Sequence, residues 1–202
     1  MNADFDVTDI VINTDRLLLR AWKLSDLDDF FIYASNPDVG PRAGWLPHQN
    51  KEESLRVLNI FIKDKNVFAV VDKATNKVVG SIGIHKYGVE EKLTEFFHYY
   101  GREIGYVLAK EYWGKGLMTE AIKAVIDYLF NILNYDFLLC GYFDFNLASK
   151  RVQEKCGFKP YRKLVFDTRM GSKESGVLSL LTNPNKEIEL VFSHPETLIY
   201  EK

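Results

Sequence analysis

The sequence predicts an α/β (α+β) fold, a mixed sheet flanked by helices, and three observations carry that prediction. Two short β-rich runs, residues 67–71 and 78–84, enclose the polar stretch 73–76, as the arms of an antiparallel hairpin do. Between residues 103 and 143 a strand pattern, an amphipathic helix pattern and an unbroken apolar strand follow one another. The chain has 202 residues, 47% of them hydrophobic and 14% aromatic, enough for a full core without a disulfide or a metal.

In chain order, residues 14–20 (TDRLLLR) read as the first strand. Ser25 precedes Asp26, Leu27 and Asp28, a capping-box pattern with its acid three residues on, and the helical spacing of DLDDFFIYA runs until Asn36 and Pro37 stop it. Residues 51–63 put Leu55, Leu58 and Ile62 on one face of a second helix. The hairpin follows, then an aromatic and acidic connection over residues 85–100. Residues 103–109 alternate Ile104, Tyr106 and Leu108 with Glu103, Gly105 and Val107, which is strand periodicity. Leu117, Ala121, Ala124, Val125, Tyr128 and Leu129 give an amphipathic helix of about three to four turns. Residues 136–143 hold FLLC, as a strand covered on both faces would. A shorter helix over 146–156 ends at Gly157, and Phe158 enters a further strand. Beyond Tyr161 the pattern weakens, with 176–181 and 187–192 as further candidate strands.

Composition excludes several classes. Lys plus Arg (26) nearly balance Asp plus Glu (28), so no broad cationic surface is available for nucleic-acid phosphates. Cys140 and Cys156 have neither a pairing pattern nor a metal-ligand spacing, which suits a reducing cytoplasm. His48, His85, His98 and His194 lie far apart without ligand spacing, so no metal is expected. The opening MNADFDVTDI lacks the basic start and apolar run of a secretory signal, and no apolar stretch is long enough to span a bilayer. With no repeat and no linker, residues 1–202 are expected to form one soluble domain.

The stretch EYWGKGLMTEA, from Glu111, joins strand to helix through Gly114 and Gly116. Glycines let a backbone turn tightly and approach a ligand, and the unpaired amides at a helix start face phosphate oxygens. Lys115 would add charge and Thr119 a hydroxyl. A purely structural turn is the alternative. The spacing fits neither a P-loop nor a dinucleotide fingerprint, since Thr119 stands where a third glycine would fall.

EIGYVLAKEYWGKGLMTEA, followed after one more strand by NLASKRVQEKCGF, resembles the signature of the GNAT superfamily of N-acetyltransferases in its expected order. The opening TDRLLLRAWKLSDLDDFFIYASNPDV is similar to the branch containing ribosomal-protein amino-terminal (alanine/serine) acetyltransferases. The resemblance implies a GNAT fold, a mixed central sheet of six to seven strands with a splayed pair, and acetyl-CoA as cosubstrate. Val107, Leu108 and Ala109 match the positions that pair with its pantetheine arm. Trp113, Gly114, Lys115, Gly116, Leu117, Met118 and Thr119 match those that receive its pyrophosphate. Glu111 stands where the family often has Gln or Arg and cannot donate to phosphate, so it is left out of the binding set.

The resemblance also implies individual roles. Glu103 matches a position from which a carboxylate takes the acceptor's proton; a solvated strand-end carboxylate is the alternative. Asn146 and Ser149 match residues that bind the cofactor, with Ser149 as donor to the departing thiolate, against a plain N-cap and polar first turn. The tyrosine found further along that helix in other branches is absent, and Gln153 or a neighbour takes its place. Lys150, Arg151 and Lys155 would reach the phosphates or simply form a solvated face. Cys156 reads as a packed residue rather than a nucleophile, so transfer is direct. Trp22, Trp45, Phe96, Phe97, Tyr99 and Tyr100 are candidates for an acceptor cleft or for core packing. The expected acceptor is a primary amine, foremost a protein or peptide N-terminus, with small amines, aminoglycosides and a non-catalytic CoA sensor as alternatives. A monomer or homodimer is expected.

Overall fold

The computed structural model describes residues 1–87 and 93–189. Its centre is an eight-stranded sheet: β1 (Ile12–Asn13), β2 (Leu17–Ala21), β3 (Val67–Asp72), β4 (Lys77–His85), β5 (Gly101–Leu108), β6 (Phe137–Phe143), β7 (Lys159–Asp167) and β8 (Lys173–Thr182). The order is β1-β2-β3-β4-β5-β6-β8-β7, and every pairing is antiparallel except β5 with β6. Four helices flank it: α1 (Leu27–Ala34), α2 (Lys51–Asp64), α3 (Leu117–Asp127) and α4 (Leu147–Lys155).

The mixed α/β class stands, but eight strands replace the six to seven expected. A two-residue edge strand adds one, and the weakly patterned stretch after Tyr161 folds into a long β7–β8 hairpin. Of the candidate strand 187–192, residues 187–189 carry no strand and the rest lie outside the described residues.

Burial on both faces marks the central strands of the sheet. β3 is buried along its whole length, and β4 is buried except at its ends. On one face Ile82, Ile104, Leu108 and Leu138 pack against Leu117, Ala121, Ile122 and Val125 of α3. On the other, Val67, Ala69, Val71 and Val78 pack against Phe30 and Tyr33 of α1 and Leu58 of α2. Each such side chain, fully buried, contributes about 1.5–3 kcal/mol.

The helix ends show which local signals operate. Asn50 caps α2, accepting from the Glu53 amide at 2.9 Å. At α1 the expected Ser25–Asp28 box is replaced: Asp26 accepts from the Lys23 amide at 2.9 Å and is gripped by both Arg20 nitrogens at 2.7 and 2.8 Å. The ion pair with a neighbouring strand outcompetes the local serine. α3 passes into a wider π turn over Tyr128–Ile132. Among the described residues no helix is long and apolar enough to cross a membrane.

Candidate active site

The parallel ladder between β5 and β6 holds only from Gly101↔Phe137 to Glu103↔Leu139. Beyond Glu103, β5 keeps its partner β4 through Leu108 but leaves β6. A cleft of about 580 Å³ opens at this point, walled by β5, residues 140–143 of β6, the glycine turn, α4 and the turn over Gly40–Ala43. Eleven of the thirteen site residues expected from the sequence line it: Glu103, Val107, Leu108, Trp113, Gly114, Gly116, Leu117, Met118, Thr119, Asn146 and Ser149.

The two exceptions have physical reasons. The Ala109 amide donates to the Val79 carbonyl at 2.7 Å, so β4 already holds it. The Lys115 ammonium lies over the Tyr112 ring, 5.1 Å from its centroid, outside the cleft lining. At the cleft's upper edge Leu108 is partly satisfied too, since its carbonyl accepts from the Trp113 indole at 2.7 Å.

The glycine turn has the form that an anion needs. Gly114 and Gly116 have φ of +75° and +74°, where a side chain is strained, and a Cβ at Gly114 would meet nothing within 4 Å. The first helical hydrogen bond of α3 runs from the Glu120 amide to the Gly116 carbonyl at 3.1 Å, leaving the Leu117, Met118 and Thr119 amides ahead of the ladder. Arg16 fixes this turn by donating to the Lys115 carbonyl at 3.0 Å while bonding Glu120 at 2.6 Å. Sequence reasoning missed that pin, because its two ends lie about a hundred residues apart.

Charge in the cleft is asymmetric. Arg42, Arg151 and Lys155 line it, whereas Lys150 turns to Glu154 at 3.6 Å and does not. Helical geometry separates them: positions 151 and 155, one turn apart, share a face that 150 does not. Among the described residues Glu103 is the only acidic side chain in the lining. It is half-buried, has no hydrogen-bond or ion-pair partner among the described residues, and burial pushes its carboxyl up to about 7.

On the far wall the Ser149 hydroxyl lies 2.9 Å from the Tyr106 hydroxyl, which also donates to the Ser149 carbonyl at 3.1 Å. Burial raises the Tyr106 phenol well above its ordinary value, so it stays protonated. Tyr106 was legible in the sequence only as a strand residue. Gln153, expected near the missing tyrosine, is instead buried outside the cleft lining and donates to the Gly141 carbonyl at 3.0 Å. Asn146 caps α4, accepting from the Ser149 amide at 3.2 Å, and also donates to the Arg42 carbonyl at 3.0 Å. It therefore ties α4 to the turn across the cleft.

Burial raises the thiol of Cys140 well above its ordinary value and that of Cys156 to about 11, which makes both poor nucleophiles. The aromatic acceptor set is corrected. Trp22 and Phe96 are core residues, Trp45 packs with the α1–α2 cluster, Phe97 and Tyr100 are exposed, and the Tyr99 hydroxyl bonds the Glu189 carbonyl at 2.9 Å. None of these six lines the cleft; Tyr142, Phe143 and Phe166 do.

Residues 16–159 match the family described as acetyltransferase (GNAT) domain. An uncharacterized N-acetyltransferase, p20 of Bacillus licheniformis, is 33% identical over 128 residues, 60% of this chain and 66% of that protein. The ribosomal protein uS5-alanine N-acetyltransferase of Escherichia coli (strain K12) is 26% identical over 205 aligned positions, 89% of this chain and 94% of that one. Among solved structures, a GNAT-family acetyltransferase from Bacillus anthracis superposes with a TM-score of 0.74 at 23% identity, covering 86% of this chain and 99% of that one.

Proposed function

The chain belongs to the GNAT family of acetyl-CoA-dependent N-acetyltransferases, and on that premise we propose that it acetylates the α-amine of a protein or peptide N-terminus by direct transfer. The observation that carries this reading is Glu103, an unpartnered carboxyl raised to about 7 at the point where β5 and β6 part. An α-amine has a pKa of about 7.7–8.0, within reach of such a base, whereas a lysine amine near 10.4 must give up roughly 4 kcal/mol to become neutral at pH 7.5.

The roles follow from placement. Acetyl-CoA supplies the activated acetyl group. The open amides at the start of α3, with Arg42, Arg151 and Lys155, would hold its phosphates. The freed edge of β5 at Val107 and Leu108 would receive its pantetheine arm, while the committed Ala109 amide would not. Glu103 takes one proton from the acceptor ammonium, the neutral nitrogen bonds the acyl carbon as the carbon–sulfur bond breaks, and Ser149, backed by Tyr106, passes the nitrogen's second proton to the departing thiolate.

The likeness to the uS5-alanine enzyme, over most of both chains, supports the same acceptor class. The protein would work as a single cytoplasmic domain, a monomer or homodimer. The test is thiol release from acetyl-CoA against N-terminal peptides, lysine peptides, polyamines and aminoglycosides. The expected result is turnover with N-terminal peptides that Glu103→Gln lowers about a hundredfold or more. Preference for polyamines or aminoglycosides would overturn the acceptor, and cofactor binding without turnover would favour a sensor.

A further inference from the structure

In the β4–β5 ladder His85 stands directly opposite Glu103, and two steps along Gly83 stands opposite Gly105. Directly paired residues point to the same face with Cβ atoms about 4.5–5.5 Å apart, so the two side chains leave the sheet from adjacent positions on one face. The His85 ring is folded back along the ladder onto the two glycines. A Cβ at Gly83 would fall 2.0 Å from its Nε2, and one at Gly105 would fall 3.3 Å from its Cδ2.

Glycine inside a strand is destabilising relative to alanine, and two facing each other mark a place where something must lie close to the backbone. Here that something is the ring. Gly105 itself lines the cleft, while His85 as a residue remains exposed to solvent. The ring therefore lies over Gly105 of the cleft lining, on a residue that reaches solvent. The charged groups acting on it are Arg169 from the β7–β8 turn and Arg102 from β5; burial of the ring first, then these two cations, lowers its pKa. It is a neutral acceptor at pH 7.

A half-buried carboxyl that takes a proton in each turnover must also lose it, and among the described residues no side chain hydrogen-bonds Glu103 to lead the proton away. We propose that His85 is the relay that discharges Glu103, an inference that rests on the acetyl-transfer reading above. Its ring nitrogen accepts the carboxylic proton, directly or through one water, and releases it to solvent, which restores the carboxylate and the neutral imidazole. The balance closes. The acceptor ammonium yields two protons, one leaving through Glu103 and His85 and the other passing to the thiolate.

The experiment compares wild type, His85→Ala, His85→Gln, Glu103→Gln and the double variant His85→Ala/Glu103→Gln, in the full chain, with the best acceptor peptide. We expect His85→Ala and His85→Gln each to lower kcat about tenfold with the KM for acetyl-CoA unchanged. Added imidazole should restore much of the loss in His85→Ala, and in the Glu103→Gln background the second change should add nothing. Unchanged kcat, or a loss that imidazole leaves alone and that adds to the Glu103→Gln loss, would show that the ring only fills space over the glycines. Absence of wild-type turnover with every acceptor would defeat the acetyl-transfer reading itself, a different failure.

Discussion

Glu95, in the 3-10 turn Thr94–Phe96 just before β5, and Glu103, within β5, have been treated in opposite ways. The Glu95 side chain is fully buried, yet Arg162 reaches it at 2.9 Å and the Tyr161 hydroxyl donates to the same oxygen. Around them Phe96 stacks on Phe137 at 4.2 Å, making a closed cluster at one end of the sheet. Glu103 is less buried and has no such partner, and it faces the cleft. The deeper carboxylate is neutralised and structural; the shallower one is left with its desolvation cost uncompensated, the condition in which a carboxyl becomes a base useful near neutral pH.

The largest effect expected from this contrast is on stability at the paired site. Arg162→Met should cost about 3–5 kcal/mol, read as a fall in the denaturation midpoint at pH 7, because it strands the Glu95 charge in the core. Glu103→Gln should cost nothing, since it removes a charge that had no partner. Equal losses at the two positions would mean that Glu103 is held by a contact of comparable strength.

The next effect is on rate. Glu103→Gln should lower kcat about a hundredfold or more with little change in the KM for acetyl-CoA. In wild type kcat should rise with pH through about 7 as the carboxyl ionises, a limb that the variant lacks. Stability should move the other way. The folded-state pKa lies above the unfolded value of 4.5, so the native state holds the extra proton between about 4.5 and 7. Wild type should therefore lose stability relative to Glu103→Gln as pH rises through that window. A difference that is flat with pH would refute the raised value.

Both carboxylates look alike in the sequence, each a glutamate among aromatic and apolar residues, and that is where sequence reasoning reaches its limit. Glu103 was singled out by the family resemblance of its strand and of the glycine turn that follows. The turn, the helix after it and the strands on either side were legible as local patterns with local causes. Asp26 at the first helix, Arg16 at the glycine turn and Arg162 beside Glu95 were not, because each takes its role from a partner on another element. The choice between cleft and core for the aromatic residues stayed open in the sequence for a related reason. Trp22 and Phe96 carry no mark that separates a core ring from a cleft ring, and only the packing of distant elements decides it. Phe166 lay in the weakly patterned stretch after Tyr161, yet the hairpin carries it to the cleft wall.

Phe166 also offers the finest test of the contrast, because it helps keep Glu103 from becoming an ordinary surface carboxylate. A Cβ built at Gly141 would lie 3.1 Å from the Phe166 ring and 3.8 Å from a Glu103 oxygen, so ring and carboxyl border the same point. The ring occupies space that water would otherwise take. Phe166→Ala should let solvent reach the carboxyl and move its pKa down, by about one unit at most since His85 and the β6 wall remain. The rising limb of kcat against pH should then shift to lower pH, while the plateau falls because a more solvated, weaker base serves a less enclosed acceptor. A limb that stays near 7 in Phe166→Ala would assign the desolvation of Glu103 to the strands themselves, and the aromatic wall would then concern only the shape of the acceptor.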